Sequence, residues 1–291
     1  MIERKLIVRG VLAGALAGLL AFVFARVFAE PCITRAIDYE SARAAAQALL
    51  DRAAGIATEP AATDPFSRTV QANIGIGVGM VGFGATIGAL FSVAYTICLG
   101  RVGDLKPRSL ALLVGLTGFL SVYLVPFLKY PANPPAIGHE DTIQERGALY
   151  LMMTLLSVLL AIAAVWFGQQ LKPRLGSWNA TLAAGLAFAV AIAIVMLVLP
   201  SVGEIASNRR DFGNQATETP LPLKDIHGTI VFPGFPADVL ATFRLYSVAA
   251  QVLLWGALSV VFAPLAERVL SPSTAGRRAG QQSRSTALSA H

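Results

Sequence analysis

Uncharged apolar runs of about twenty residues alternate along this chain with shorter charged stretches. Gly10 to Ala29, Ile74 to Leu99, Ser109 to Leu128, Gly147 to Gly168, Thr181 to Pro200 and Leu245 to Pro264 are each long enough to cross about 30 Å of hydrocarbon as a helix. Only the first carries a formal charge, Arg26. None alternates apolar and polar positions as barrel strands do, and a segment in lipid must satisfy its own backbone hydrogen bonds. The pattern therefore predicts an all-α fold, a polytopic integral membrane bundle of six transmembrane helices. Their expected spans are about 8–29, 74–99, 109–128, 147–168, 181–200 and 245–264, with outer loops at 30–73, 129–146 and 201–244. Residues 1–270 form a single transmembrane domain, and the Ser-, Gly-, Gln- and Arg-rich segment 271–291 is expected to be a disordered cytoplasmic tail.

Glycine spacing sharpens the picture of packing. Gly10, Gly14 and Gly18 stand in tandem GxxxG order, and Gly75, Gly79, Gly84 and Gly88 give the second run two more such pairs. Small faces let helix backbones approach closely, so the second helix is expected to be central. The alternative, a glycine-lined passage, would also need polar lining groups, and those are scarce. Leu105 to Pro126 resembles Leu171 to Pro200, each opening on Leu-Lys-Pro-Arg, which suggests a parallel repeat of helix hairpins 2–3 and 4–5. The plainer alternative is that any cytoplasmic turn benefits from Pro as a breaker and Lys or Arg as a topology signal. Ser41 to Ala54 is Ala-rich and fits a short outer-face helix of its own.

Composition agrees with the runs, at 55% hydrophobic and 14% charged residues. The charge of +6 is unevenly placed. Twelve Lys and Arg occupy the N-terminus, Arg101 to Arg108, Gln169 to Trp178 and the tail, with three acids; the other three connections hold ten basic and fourteen acidic residues. Short basic connections face the cytoplasm, which places both termini inside a bacterial inner membrane. The excess belongs to this asymmetry, and nothing points to a nucleic acid partner. The first run also fits a secretory signal, with cleavage after Val27-Phe28-Ala29, although it is longer than a typical signal core. Cys32 and Cys98 fall at opposite ends of the bundle and are not expected to pair. No phosphate loop, Gly-x-Ser-x-Gly or HExxH is present, and an enzyme is not expected. No Asp or Glu lies at mid-membrane, which disfavours a proton-coupled exchanger acting alone.

Candidate chemistry lies in the outer loops. His139-Glu140-Asp141 and Asp225-Ile226-His227 each place His and Asp two positions apart. Brought together, His139, Asp141, Asp225 and His227 would offer a divalent ion two imidazoles and two carboxylates. The plainer reading makes Thr142 to Glu145 a capping box, Asp141 a favourable charge near a helix N-terminus, and Asp238 the first-turn acid of the last helix. Arginines recur at the outer boundary, Arg26, Arg146 and Arg244, with Glu30, Glu145 and Asp238 nearby in sequence. These fit structural ion pairs, or a gate that repels cations until a ligand binds.

The opening Met1 to Pro31, the segment Leu128-Lys129-Tyr130-Pro131-Ala132-Asn133-Pro134-Pro135, and His227 to Ser247 followed by Gln251 and Trp255 resemble the predicted cobalt transporter subunit family CbtA. The resemblance implies a membrane subunit tied to cobalt supply for cobamide synthesis, and a small single-helix companion, CbtB, with a His-rich metal-binding end. The expectation is thus a channel-like or partner-dependent subunit for divalent metal uptake, with cobalt as cargo and no permanently bound cofactor. In it the outer loops receive the ion and pass it to a passage near the Gly-rich second helix. Expected partners are the CbtB-like subunit, a further copy of the chain and the bilayer. A non-transport scaffold or assembly protein, and a permease subunit for nickel or another cation, are the alternatives.

Overall fold

The computed structural model describes residues 2–56, 67–211, 213 and 218–270; the expected tail, 271–291, lies outside them. Helix α1 (Ile2–Phe24) passes through a π-helical turn (Ala25–Ala29) straight into α2 (Glu30–Ala53). The outer helix anticipated at Ser41 to Ala54 is therefore the far end of one continuous rod. Pro31 explains the turn: it has no N–H to donate and would clash with a carbonyl one turn earlier, and the wider π geometry absorbs both defects. Short α3 (Arg68–Val70) leads through a second π turn (Gln71–Gly75) into α4 (Ile76–Cys98). The device at Pro31 recurs in α5 (Pro107–Gly118), which runs through a π turn (Phe119–Leu124) into α6 (Val125–Lys129), where Pro126 sits in the first turn.

Five stretches are long and apolar enough to cross a membrane: Ile2–Ala53, Arg68–Cys98, Pro107–Lys129, Glu140–Glu204 and Ala237–Leu270. The six predicted runs fall on these five because two share α7 (Ile143–Val198). A straight helix of 56 residues would measure about 84 Å. It is not straight, because Gly176 adopts φ 72°, ψ 168°, a conformation open only to glycine at low cost. A Cβ on Gly168 would lie 3.1 Å from that of Ala184, eight residues beyond Gly176, and Met153 clusters with Ile192. The two arms of α7 therefore pack antiparallel. The two Lys-Pro-Arg segments are not equivalent. Pro107 opens α5 after its turn, whereas Pro173 lies inside α7 ahead of the turn at Gly176.

The remaining elements are α8 (Ala206–Asp211), a two-stranded antiparallel hairpin of β1 (Leu223–Lys224) and β2 (Ile230–Phe232), and α9 (Ala237–Leu270). The core is formed by α1 against α4 and α9, with α5 against α9. Leu6, Tyr95, Leu258 and Phe262 are fully buried there, and the rings of Phe91 and Tyr95 each stand edge-on to Phe262 at 5.1 Å. Glycine makes the α1–α4 contact close. A Cβ on Gly14 would lie 2.9 Å from Gly88 Cα, and one on Gly84 would lie 2.8 Å from Gly18 Cα. Gly10 meets Ser92 in the same way. Gly75 and Gly79 do not join this seam. Gly75 ends a π turn, where a Cβ would meet only a carbonyl at 3.8 Å, and a Cβ on Gly79 would meet no neighbouring element within 4 Å. The Gly84–Gly88 face is filled by α1, so the passage expected along the second helix is closed on that side.

The basic connections share one end of the bundle. Arg9 donates to the Leu265 carbonyl, Arg108 to Glu267, and Gln169 to the Val102 carbonyl. The longer connections share the other.

Candidate functional site at the loop end

At the loop end, Pro131 to Gly138 arches over a cavity of about 660 Å³. Two left-handed residues shape the arch, Ala136 at φ 72° and Gly138 at φ 152°. The first is unusual for a residue with a Cβ. The second is a steric necessity, because a Cβ on Gly138 would lie 2.7 Å from Arg146 Nη1 and 3.3 Å from Glu218 Oε2. Arg244 on α9 holds the arch from below, with Nε donating to the Ala132 carbonyl at 3.1 Å and Nη2 to Asn133 Oδ1 at 2.8 Å. Tyr130 closes its first edge by donating to the Pro200 carbonyl at 2.9 Å.

The cavity is lined by Glu40, His139, Glu140, Arg146, Tyr150 and Glu218, among others. Glu218 is its organising group. The side chain is fully buried, and both oxygens are engaged. Oε1 accepts from Thr142 Oγ1 and Asn208 Nδ2, each at 2.5 Å, while Oε2 accepts from Arg146. A buried carboxylate survives only with such compensation. The network ties the loop 129–146, α8 and the segment before β1 into one unit. Thr142 makes no side-chain bond to the helix it precedes, so the capping box expected at Thr142 to Glu145 is not formed. Its hydroxyl serves the His139 carbonyl and Glu218 instead, and a capping box occurs at Ser201 and Glu204.

The four residues anticipated as metal ligands are not gathered into one centre, since no group of three or more His, Cys, Asp or Glu side chains is placed to hold an ion among the described residues. His139 lies at the cavity with Nε2 2.6 Å from Asp211 Oδ2, and its Nδ1 accepts the Asp141 N–H at 3.2 Å. With Nδ1 accepting, Nε2 carries the proton toward Asp211. Asp225 and His227 belong to the β1–β2 turn. Asp225 Oδ1 accepts the N–H of His227 at 2.9 Å and that of Thr229 at 2.8 Å, and His227 is exposed. The spacing of two thus has a local cause: in each pair the first side chain caps the backbone of the second.

The boundary arginines are paired differently from their sequence neighbours. Glu30 is bound by Arg68, not Arg26, whose Nε donates to Asn73 Oδ1 at 2.9 Å. Arg146 takes Glu218 in place of Glu145, and Arg244 bonds the arch in place of Asp238. Asp238 stands in the first turn of α9, as expected of a residue that favours a helix N-terminus. Glu218, Asn208 and Asp211 were not apparent as site residues because their role depends on contacts 72 to 85 positions away or on a folded helix; no local spacing marks them.

No curated protein and no solved structure gives a match. The family model for CbtA, described as a probable cobalt transporter subunit, matches residues 3–267. That is nearly the whole described bundle together with the arch and the Glu218 network, and the chain belongs to the CbtA family.

Proposed function

We propose that this protein is the membrane-embedded subunit of a divalent metal uptake system, with cobalt as its cargo and cobamide synthesis as its destination. The loop end faces outward, both termini are cytoplasmic, and the membrane is the bacterial inner membrane. The observation that carries the reading is the loop-end cavity with a buried carboxylate at its base. Glu218 already holds a cation, the Arg146 guanidinium, and an entering metal ion competes for the same oxygens. His139 adds an imidazole at the rim, and mixed nitrogen and oxygen donors suit cobalt or nickel better than magnesium. The subunit works channel-like, with a small His-rich single-helix companion that concentrates the ion at the cavity.

Cobalt accumulation in cells tests this directly. Cells expressing the chain with the His-rich companion should accumulate radioactive cobalt above vector controls, nickel should compete, and Glu218→Gln should abolish the gain at unchanged membrane abundance. Accumulation equal to the vector control, with and without the companion, would leave the scaffold reading in its place.

A further inference from the structure

Hydroxyls in the apolar segments of this protein have a common fate. Those of Thr86, Ser92, Thr96, Thr154 and Ser259 each donate to the carbonyl four residues earlier, which satisfies them without a second helix. Two buried hydroxyls do not. Ser157 on α7 is fully buried and its Oγ has no hydrogen-bond partner, and the Tyr123 hydroxyl in the π turn Phe119–Leu124 is likewise buried and unpaired. Leaving such a group unpaired away from water is costly.

Tyr123 borders α7, and helical register carries Ser157 toward the same seam. The principal contacts of α7 are with α6 and that π turn, so the first arm of α7 runs beside the element carrying Tyr123. Tyr150 lines the loop-end cavity and is an electrostatic neighbour of Tyr123. Ser157 follows Tyr150 by seven residues on the same face of the helix, which places it about 10 Å deeper. Between them sits Met153, fully buried, an unbranched side chain able to change shape without a backbone shift. Two other places are filled: α1 covers the Gly84–Gly88 face, and Tyr95, Leu258 and Phe262 occupy the centre of the core.

Resting on the uptake reading above, we infer that the ion's route descends from the cavity along the seam between the first arm of α7 and the turn Phe119–Leu124. The hydroxyls of Tyr123 and Ser157 offer oxygens to the hydrated divalent cation, and Met153 is the plug it displaces. The route is closed in this structure. It opens by a shift of the α7 hairpin, whose principal contacts are with α6 and the turn Phe119–Leu124 and not with the core helices.

Thiol accessibility tests the seam without requiring transport. In a background with Cys32→Ala and Cys98→Ala, Ser157→Cys and Leu155→Cys are compared, the latter 59% exposed on the lipid face of the same arm. A membrane-impermeant cationic methanethiosulfonate is added from outside, with the companion co-expressed. Modification of Ser157→Cys, slowed by cobalt, with Leu155→Cys inert, is the expected result. Equal inertness of both positions overturns the route. Should the Ser157→Cys protein not assemble, Ser157→Ala decides: the route requires cobalt accumulation to fall about tenfold, the loss of one oxygen donor to a charged ligand, and an unchanged level overturns it. Failure of the uptake reading shows separately, as absence of accumulation by the unsubstituted chain even where Ser157→Cys is modified.

Discussion

Glu218 is held by a hydroxyl, an amide and a guanidinium, all from other segments, and its removal leaves three donors pointing at one empty spot. Arg146 keeps 31% of its side chain exposed and can rehydrate, so the cost is less than for a fully buried pair. Glu218→Ala should destabilise the purified protein by about 2–4 kcal/mol, read as a lowered unfolding midpoint in detergent. The arch offers the opposite case. Ala136 holds a left-handed conformation that glycine adopts freely, so Ala136→Gly should raise the midpoint, by about 1 kcal/mol of stability. Gly138→Ala should lower it, because the new methyl group meets Arg146 and Glu218. At this scale the sequence exposes oddities more readily than partners. His139, Asp141, Asp225 and His227 were visible as matched pairs, and their spacing proved to record two small backbone turns. Glu218 was invisible, since nothing near it in the chain says that Arg146 will be its neighbour.

Helices were the most legible elements, because an apolar run of twenty residues in lipid has one stable backbone solution. Their ends were less so. The continuation of α1 into α2 past Pro31 depends on a π turn, which no propensity signals, and the same holds for the passage of α5 into α6 before Pro126. The glycine pattern was half readable: Gly10, Gly14, Gly18, Gly84 and Gly88 meet across α1 and α4, while Gly75 and Gly79 share the spacing without the contact. A single methyl at Gly14 or Gly88 would drive against backbone, where nothing flexible can yield. Gly14→Ala should therefore destabilise more than Gly79→Ala, which faces open space, and parallel unfolding of the two variants measures the difference. Gly176 carries the α7 reversal alone, and Gly176→Ala should cost about 1–3 kcal/mol by forcing a Cβ into a glycine-only region.

On the scale of the whole molecule, the segregation of basic and acidic connections in sequence matches two physical ends of the bundle. The proposed orientation is checked by single cysteines in intact cells lacking Cys32 and Cys98. Ile226→Cys, at a position 93% exposed on the hairpin tip, should react with an impermeant maleimide, and Leu105→Cys, 40% exposed at the basic end, only after permeabilisation. The reverse pattern would invert the protein. How α7 sits could not be read from its apolarity, which is the highest of the five stretches. Its most apolar eighteen residues are only 11% buried, against 39% in the stretch that begins the chain, so this part of the hairpin packs little against the rest of the chain. The order of packing has a further consequence for biosynthesis. The α7 arms can pair as soon as both leave the ribosome and α1 can pair with α4, but the other side of α1 must wait for α9, whose Leu265 receives Arg9 across 256 positions. That side of α1 is thus among the last surfaces to be covered. A chain released before residue 237 would keep its hairpin intact and leave the α9-facing side of α1 open to quality-control proteases.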